Sequence, residues 1–127
     1  MDSPPYDVLG VLVSDRIVLT IPTSERFRSV ATLVLGGIGS RADLPYERMD
    51  DLQLAVLSAL DATDDETVTI EVDAYGDGIR LALGPMRDGS GSDDGLVRVL
   101  SRLVDDVGHE HRDGVEWITL ALSAGRR

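Results

Sequence analysis

The side chains able to do chemistry in this chain fall into a few small groups. Four are carboxylate pairs: Asp50-Asp51, Asp64-Asp65, Asp93-Asp94 and Asp105-Asp106. Such pairs could hold Ca²⁺ or act as acid and base. Neighbouring residues on a helix point in different directions, so the members of a pair do not converge, and a solvated acidic face or a helix cap is the better reading. His109-Glu110-His111 is a further group. Alternating histidines on a strand project from one face and could bind a metal, with a carboxylate such as Asp113 filling in. The chain has only these two histidines and no cysteine, so no further nitrogen or sulfur ligand exists to complete a site. A solvated strand or loop edge, with no metal, is the reading adopted.

The remaining chemistry is bounded by what is missing. Without cysteine there are no disulfides, thiolate metal sites or thiol nucleophile. All 12 basic residues are arginines, so no lysine is available as a phosphate clamp or Schiff-base amine. Asparagine is also absent. The formal net charge of −11 repels phosphates, which argues against nucleic acid and against anionic membranes. No apolar stretch approaches the ~20 residues of a membrane helix, and MDSPPYD is not a secretory signal. A chain of 127 residues fits one domain, and at this size folding buries roughly two thirds of the unfolded surface.

Periodicity supplies the elements that must position these groups. Residues 1–15 read as a leader, in which Val8–Val13 could add a strand. Arg16–Ile21 alternates as a strand ended by Pro22. Thr23 or Ser24 suits an N-cap, and Phe27, Val30, Ala31, Val34 and Ile38 form the apolar face of a first helix. Gly36, Gly37 and Gly39 are expected to end it, and they also allow close backbone packing. A second helix starts near Pro45, with Met49, Leu52, Val56, Ala59 and Leu60 on one face. Val68, Ile70 and Val72, then Ile79, Leu81 and Leu83, alternate around Gly76-Asp77-Gly78 as a hairpin that Gly84-Pro85 stops. After the polar loop Arg87–Gly95, a third helix carries Leu96, Val99, Leu100, Leu103, Val104 and Val107, with Asp93 and Asp94 at its N-terminus. Val115–Leu122 closes the fold as a strand, and 123–127 is a tail. On that strand Ile118, Leu120 and Leu122 look inward and share their side with Glu116. Trp117 then faces the other way, free for a partner if helices cover one side only. The order strand, helix, helix, strand, strand, helix, strand implies an α+β two-layer sandwich, with helices on one face of a largely antiparallel sheet.

Three segments carry a family resemblance. The pattern DLQLAV within Pro45–Thr63, the hairpin after it, and GLVRVLSRLVDDV together resemble the GHKL ATPases. The closest likeness is to their small bacterial branch, the anti-sigma-factor serine kinases, with a histidine-kinase-like ATPase domain. The likeness spans roughly 16–122. In that branch the helix reads like DLxLAVxEAxxN, its Glu activating the attacking group and its Asn holding Mg²⁺. Here those positions are Ser58 and Ala62. Asp88-Gly89-Ser90-Gly91 resembles the adenine-binding box but is one residue short, and only Ser92–Asp94 separate it from Gly95 of the second glycine box, too few for a nucleotide lid. Two carboxylates before the third helix would also repel a triphosphate.

The resemblance therefore implies a regulatory protein-binding module in the cytoplasm, of anti-sigma-factor type. Its catalytic residues are lost and a vestigial pocket remains at Asp88, Gly89, Gly91 and Gly95. No cofactor is expected, and residual ATP or ADP binding is disfavoured. The implied partners are a sigma factor or an anti-anti-sigma antagonist, together with a second copy in a homodimer. The alternatives are an active ATP-dependent serine kinase with diverged motifs, in which phosphoryl transfer rests on positioning and Mg²⁺, and a purely structural dimerisation domain.

Overall fold

A computed structural model describes residues 15–75 and 78–123. The expected leader at 1–15 lies almost wholly outside the described residues, as do most of the Gly76-Asp77-Gly78 turn and the tail after Ser123. The chain forms β1 (Asp15–Pro22), a 3₁₀ turn at Glu25–Phe27, α1 (Arg28–Arg41), α2 (Tyr46–Leu60), β2 (Thr67–Tyr75), β3 (Gly78–Met86), a 3₁₀ turn at Ser90–Ser92, α3 (Asp94–Leu103), β4 (Asp106–Arg112) and β5 (Val115–Ser123). The strands make one sheet in the order β1-β2-β3-β5-β4, and each neighbouring pair is antiparallel. The architecture is α+β, with three helices packed on the sheet.

Strand alternation decides which side the helices cover. Val68, Ile70 and Val72 of β2, Ile79, Leu81 and Leu83 of β3, and Ile118, Leu120 and Leu122 of β5 are all buried. They share one face because a strand's side chains repeat with period two. Leu52, Ala55, Val56, Ala59 and Leu60 of α2, Ala31, Leu35 and Ile38 of α1, and Leu100 of α3 complete the cluster. Burying each large apolar side chain contributes about 1.5–3 kcal/mol, so this face holds the fold together.

Four expectations need correction. First, α1 does not end at its glycines; it continues to Arg41. A Cβ on Gly39 would lie 1.5 Å from Met49 Cε, so the glycine serves the close approach of α1 to α2. Leu35 is buried on α1's inner face beside Ala31 and Ile38, and Val30 is exposed. Second, Gly84-Pro85 does not stop β3, which reaches Met86. The register with β5 shifts between Leu83 and Met86, which accommodates a residue with no N–H to donate. Third, α3 ends at Leu103. Val104 is already extended and Val107 belongs to β4. Fourth, β4 is a strand that the apolar pattern did not announce. It lies at the sheet edge and is mostly solvated, so it needs no apolar alternation.

No helix covers the opposite face, among the described residues, and it carries a chain of charges. Arg16 pairs with Glu71 and Asp73 at 3.2 and 3.3 Å. Arg112 reaches Glu71 at 2.9 Å and Glu110 at 2.6 Å. Trp117 is on this side, as its strand phase requires. The Arg112 guanidinium lies 4.1 Å from the centre of its ring, a cation–π contact. Gly84 lies against the indole, and a Cβ built there would be 2.3 Å from Trp117 Cδ2.

Gly84→Ala should therefore displace the only tryptophan and cost about 1–3 kcal/mol, the usual penalty of overpacking. Denaturant unfolding, with the Trp117 emission maximum as reporter, checks this. An unshifted spectrum with unchanged stability would contradict the contact.

Candidate functional site

The site is built by the β4–β5 hairpin and the loop that follows β3. Asp113 and Gly114 both adopt positive φ, 54° and 80°, the conformation of a two-residue hairpin turn that suits Asp-Gly. With two residues in the turn, Arg112 pairs with Val115, His111 with Glu116, and His109 with Ile118. His109, His111 and Glu116 thus share the helix-covered side. Glu110 and Arg112 point to the other side, where they join the charge network.

Glu116 is the unusual member. It shares a face with Ile118, Leu120 and Leu122, and is 4% exposed. A carboxylate in such a place must be supplied with hydrogen bonds. The loop supplies them. Gly89 takes a left-handed conformation, φ 86°, and its N–H donates to Glu116 Oε1 at 2.8 Å. The N–H of Gly91 donates to Oε2 at 2.5 Å. Gly91 admits no side chain, since a Cβ would lie 2.4 Å from His109 Cβ and 2.6 Å from Glu116 Oε2. Its neighbour Ser90 is buried.

Two further groups face the carboxylate from the solvent side. His111 Nε2 is 3.5 Å from Glu116 Oε1 and 4.0 Å from Asp88 Oδ1. The side chain of Asp88 is 92% exposed and that of His111 52%. The Gly89 amide, more than any other group, holds the Glu116 carboxyl below its ordinary value of 4.5. Burial opposes this, and the Gly91 amide and the nearby His111 and His109 assist.

The other residues singled out by sequence are placed as follows. Ser58 is half-buried on α2. Ala62 is buried in the turn after α2, and its carbonyl accepts the Arg87 N–H at 2.7 Å. Thr63 Oγ1 donates to the Pro85 carbonyl at 2.6 Å. These two bonds dock the start of the Asp88–Gly91 loop on the end of α2. Gly95 is exposed in the first turn of α3, where Asp93 caps the helix by accepting the Leu96 N–H at 3.0 Å. The structure thus gathers Asp88, Gly89 and Gly91 around Glu116, and puts Asp88 and Glu116 beside His111 where Asp113 had been considered. Glu116 was not singled out as a functional residue from sequence. Two signals pointed to it: the β5 phase put a carboxylate among inward residues, and the Asp113-Gly114 turn set it opposite His111.

No protein-family model matches the chain. Over 75 residues it is 33% identical to a serine-protein kinase RsbW of Listeria monocytogenes serotype 4a, an alignment covering 53% of this chain and 48% of that protein. The RsbW of Listeria innocua serovar 6a is 32% identical over the same length, with the same coverage. This likeness to the RsbW serine-protein kinases supports a relationship to the anti-sigma-kinase-like branch of the GHKL superfamily. It spans about half the length of the RsbW proteins it matches. The fold agrees: a crystal structure of the RsbU and RsbW domains of Rv1364c from Mycobacterium tuberculosis superposes with a TM-score of 0.70 at 12% identity, covering 92% of this chain and 34% of that one. Within this RsbW-like fold, the amides of one loop hold an internal glutamate.

Replacing Glu116 by Gln should destabilise the protein by about 2 kcal/mol at pH 7, since a charge-assisted pair is lost and one amide faces an amide. The folded-state pKa is depressed, so this stabilisation is fully present above pH 4.5 and is lost as the pH falls through the lower folded-state value. Chemical denaturation of both proteins at pH 7 and near pH 3 should show the gap shrinking in acid. A gap independent of pH would refute the ionised form.

Proposed function

We propose that the chain is a regulatory protein-binding module of anti-sigma-factor type, which keeps an RsbW-like scaffold without phosphoryl-transfer chemistry. The observation that carries this reading is the engagement of Gly89 and Gly91 amides by Glu116. In the resemblance these glycines let the backbone approach a nucleotide. Here the loop is closed on a carboxylate that belongs to the protein, and an anionic ligand brought against it meets like charge.

The donor set agrees with that reading. At the position where the resemblance expects a magnesium-binding asparagine stands Ala62, buried and with no side-chain oxygen or nitrogen. Ser58 stands where a general base is expected, and a serine hydroxyl is a poor base at neutral pH. The N-terminus of α3 presents Asp93 and Asp94, and the Asp93 carboxylate already occupies the Leu96 amide. The residues present do not fit Mg²⁺-nucleotide. The net charge of −11 suits a partner with a basic surface, such as a sigma factor. An antagonist of the anti-anti-sigma type and a second copy of the chain are the other partners the relationship suggests. The competing reading, an active serine kinase with diverged motifs, is favoured by the likeness to RsbW kinases itself.

Thermal melting with MgATP and MgADP separates the two. A ligand at one hundred times its dissociation constant stabilises by about 2.7 kcal/mol, so a kinase should shift clearly at millimolar nucleotide. The regulatory module should not shift, and should still form its complex with a sigma factor in nucleotide-free buffer. A Mg²⁺-dependent shift, or transfer of labelled phosphate to a serine of an antagonist, would reverse the assignment.

A further inference from the structure

We infer that Asp88, His111 and Glu116 form a binding site for one divalent cation of the zinc type. The three ligands come from three separate segments: the loop after β3, the edge strand β4 and the start of β5. One ligand atom from each lies within 4.8 Å of the other two. Two ligands on one ion, each bound at about 2.0–2.2 Å in tetrahedral geometry, sit roughly 3.3–3.6 Å apart. The His111 Nε2 to Glu116 Oε1 separation of 3.5 Å already matches. The 4.0 Å to Asp88 Oδ1 closes by rotation of a side chain that is 92% exposed and therefore free to turn.

The electrostatics call for a cation there. Glu116 is a buried carboxylate, and the group within 4 Å of it able to carry positive charge is an imidazole, His111. Its two backbone amides bind one oxygen each, which orients the carboxylate and leaves further lone pairs on both oxygens. These amides act as the outer-shell donors that metal-binding carboxylates usually have. Asp88 adds a second negative charge at the mouth of the site. One imidazole nitrogen with two carboxylates selects Zn²⁺, Co²⁺ or a similar ion over Mg²⁺ and Ca²⁺, which take oxygen ligands only. The fourth position is open to water. His109 is on the same face, with its ring centre 6.4 Å from that of His111. A bound ion joins the loop to the edge hairpin, and its place does not depend on whether the protein binds nucleotide.

The experiment uses the full chain, stripped with a chelator and then dialysed free of it, in buffer without nucleotide. Zn²⁺ is titrated calorimetrically, and Co²⁺ is followed by its visible absorption, which reports a low-coordinate nitrogen–oxygen site. One equivalent should bind in the micromolar range or tighter. His111→Ala and Asp88→Ala, both at solvent-exposed side chains whose loss leaves the core intact, should each weaken binding by at least about tenfold. Circular dichroism confirms that both variants fold. The inference is overturned if the wild-type chain shows no saturable Zn²⁺ binding below 100 µM on the scale of about 10⁻⁴ M. It is equally overturned if both variants bind as tightly as wild type, or if millimolar Mg²⁺ or Ca²⁺ displaces Zn²⁺, each of which marks adsorption on an acidic surface.

Discussion

The carboxylate of Glu116 fixes the arrangement of one whole end of this molecule. It stands on the apolar side of β5, in line with Ile118, Leu120 and Leu122, where an unpaired charge is very costly. The chain meets that cost with backbone rather than with arginine. Two amides from the loop after β3 converge on the two oxygens. That convergence requires a left-handed residue, met by Gly89, and a residue with no side chain, met by Gly91. The loop in turn sets where α3 begins, since Asp93 directly after it is the helix cap.

Seen this way, the loop works as a strut in the structure. It is bonded to the end of α2 through Arg87 and Ala62 and to β5 through Glu116, so it bridges the helical layer and the sheet. The segment is tied down at both ends. This is the physical argument behind the proposed protein-binding role. The likeness to RsbW concerns the scaffold, and the proposed loss of phosphoryl-transfer chemistry rests on the local arrangement around Glu116.

The two faces of the sheet solve different problems. The covered face is apolar along β2, β3 and β5 except at Glu116, and carries His109 and His111 on the edge strand. Among the described residues no helix covers the other face, and Arg16, Glu71, Asp73, Glu110 and Arg112 form ion pairs across it. Arg112 stretches over Trp117, whose indole also lies against Gly84 of β3, and on to Glu71 of β2. Its guanidinium is held in its charged form chiefly by Glu110, with Glu71 also contributing. The tryptophan is therefore sheltered by an arginine.

The sequence by itself determined the layers. Period-two runs at Val68–Val72, Ile79–Leu83 and Ile118–Leu122, and a period of 3.6 across Leu52–Leu60, are local properties, and a one-sided core follows from them. The DLQLAV segment, the hairpin after it and GLVRVLSRLVDDV likewise carried the resemblance to the anti-sigma-factor serine kinases. The glycines of α1 were open to two readings, because the same residue that frays an isolated helix lets two helices touch when a partner such as Met49 is present. The solvated edge strand β4 was illegible because one ladder of hydrogen bonds, to β5, makes it a strand, and that ladder leaves no apolar pattern. The candidate site was legible only in fragments: a box of glycines, two alternating histidines, and a glutamate in an inward phase. Only the tertiary structure brought them together. Backbone amides in a loop and a carboxylate 25 and more residues away find each other through sheet register and burial, and neither is written in local periodicity.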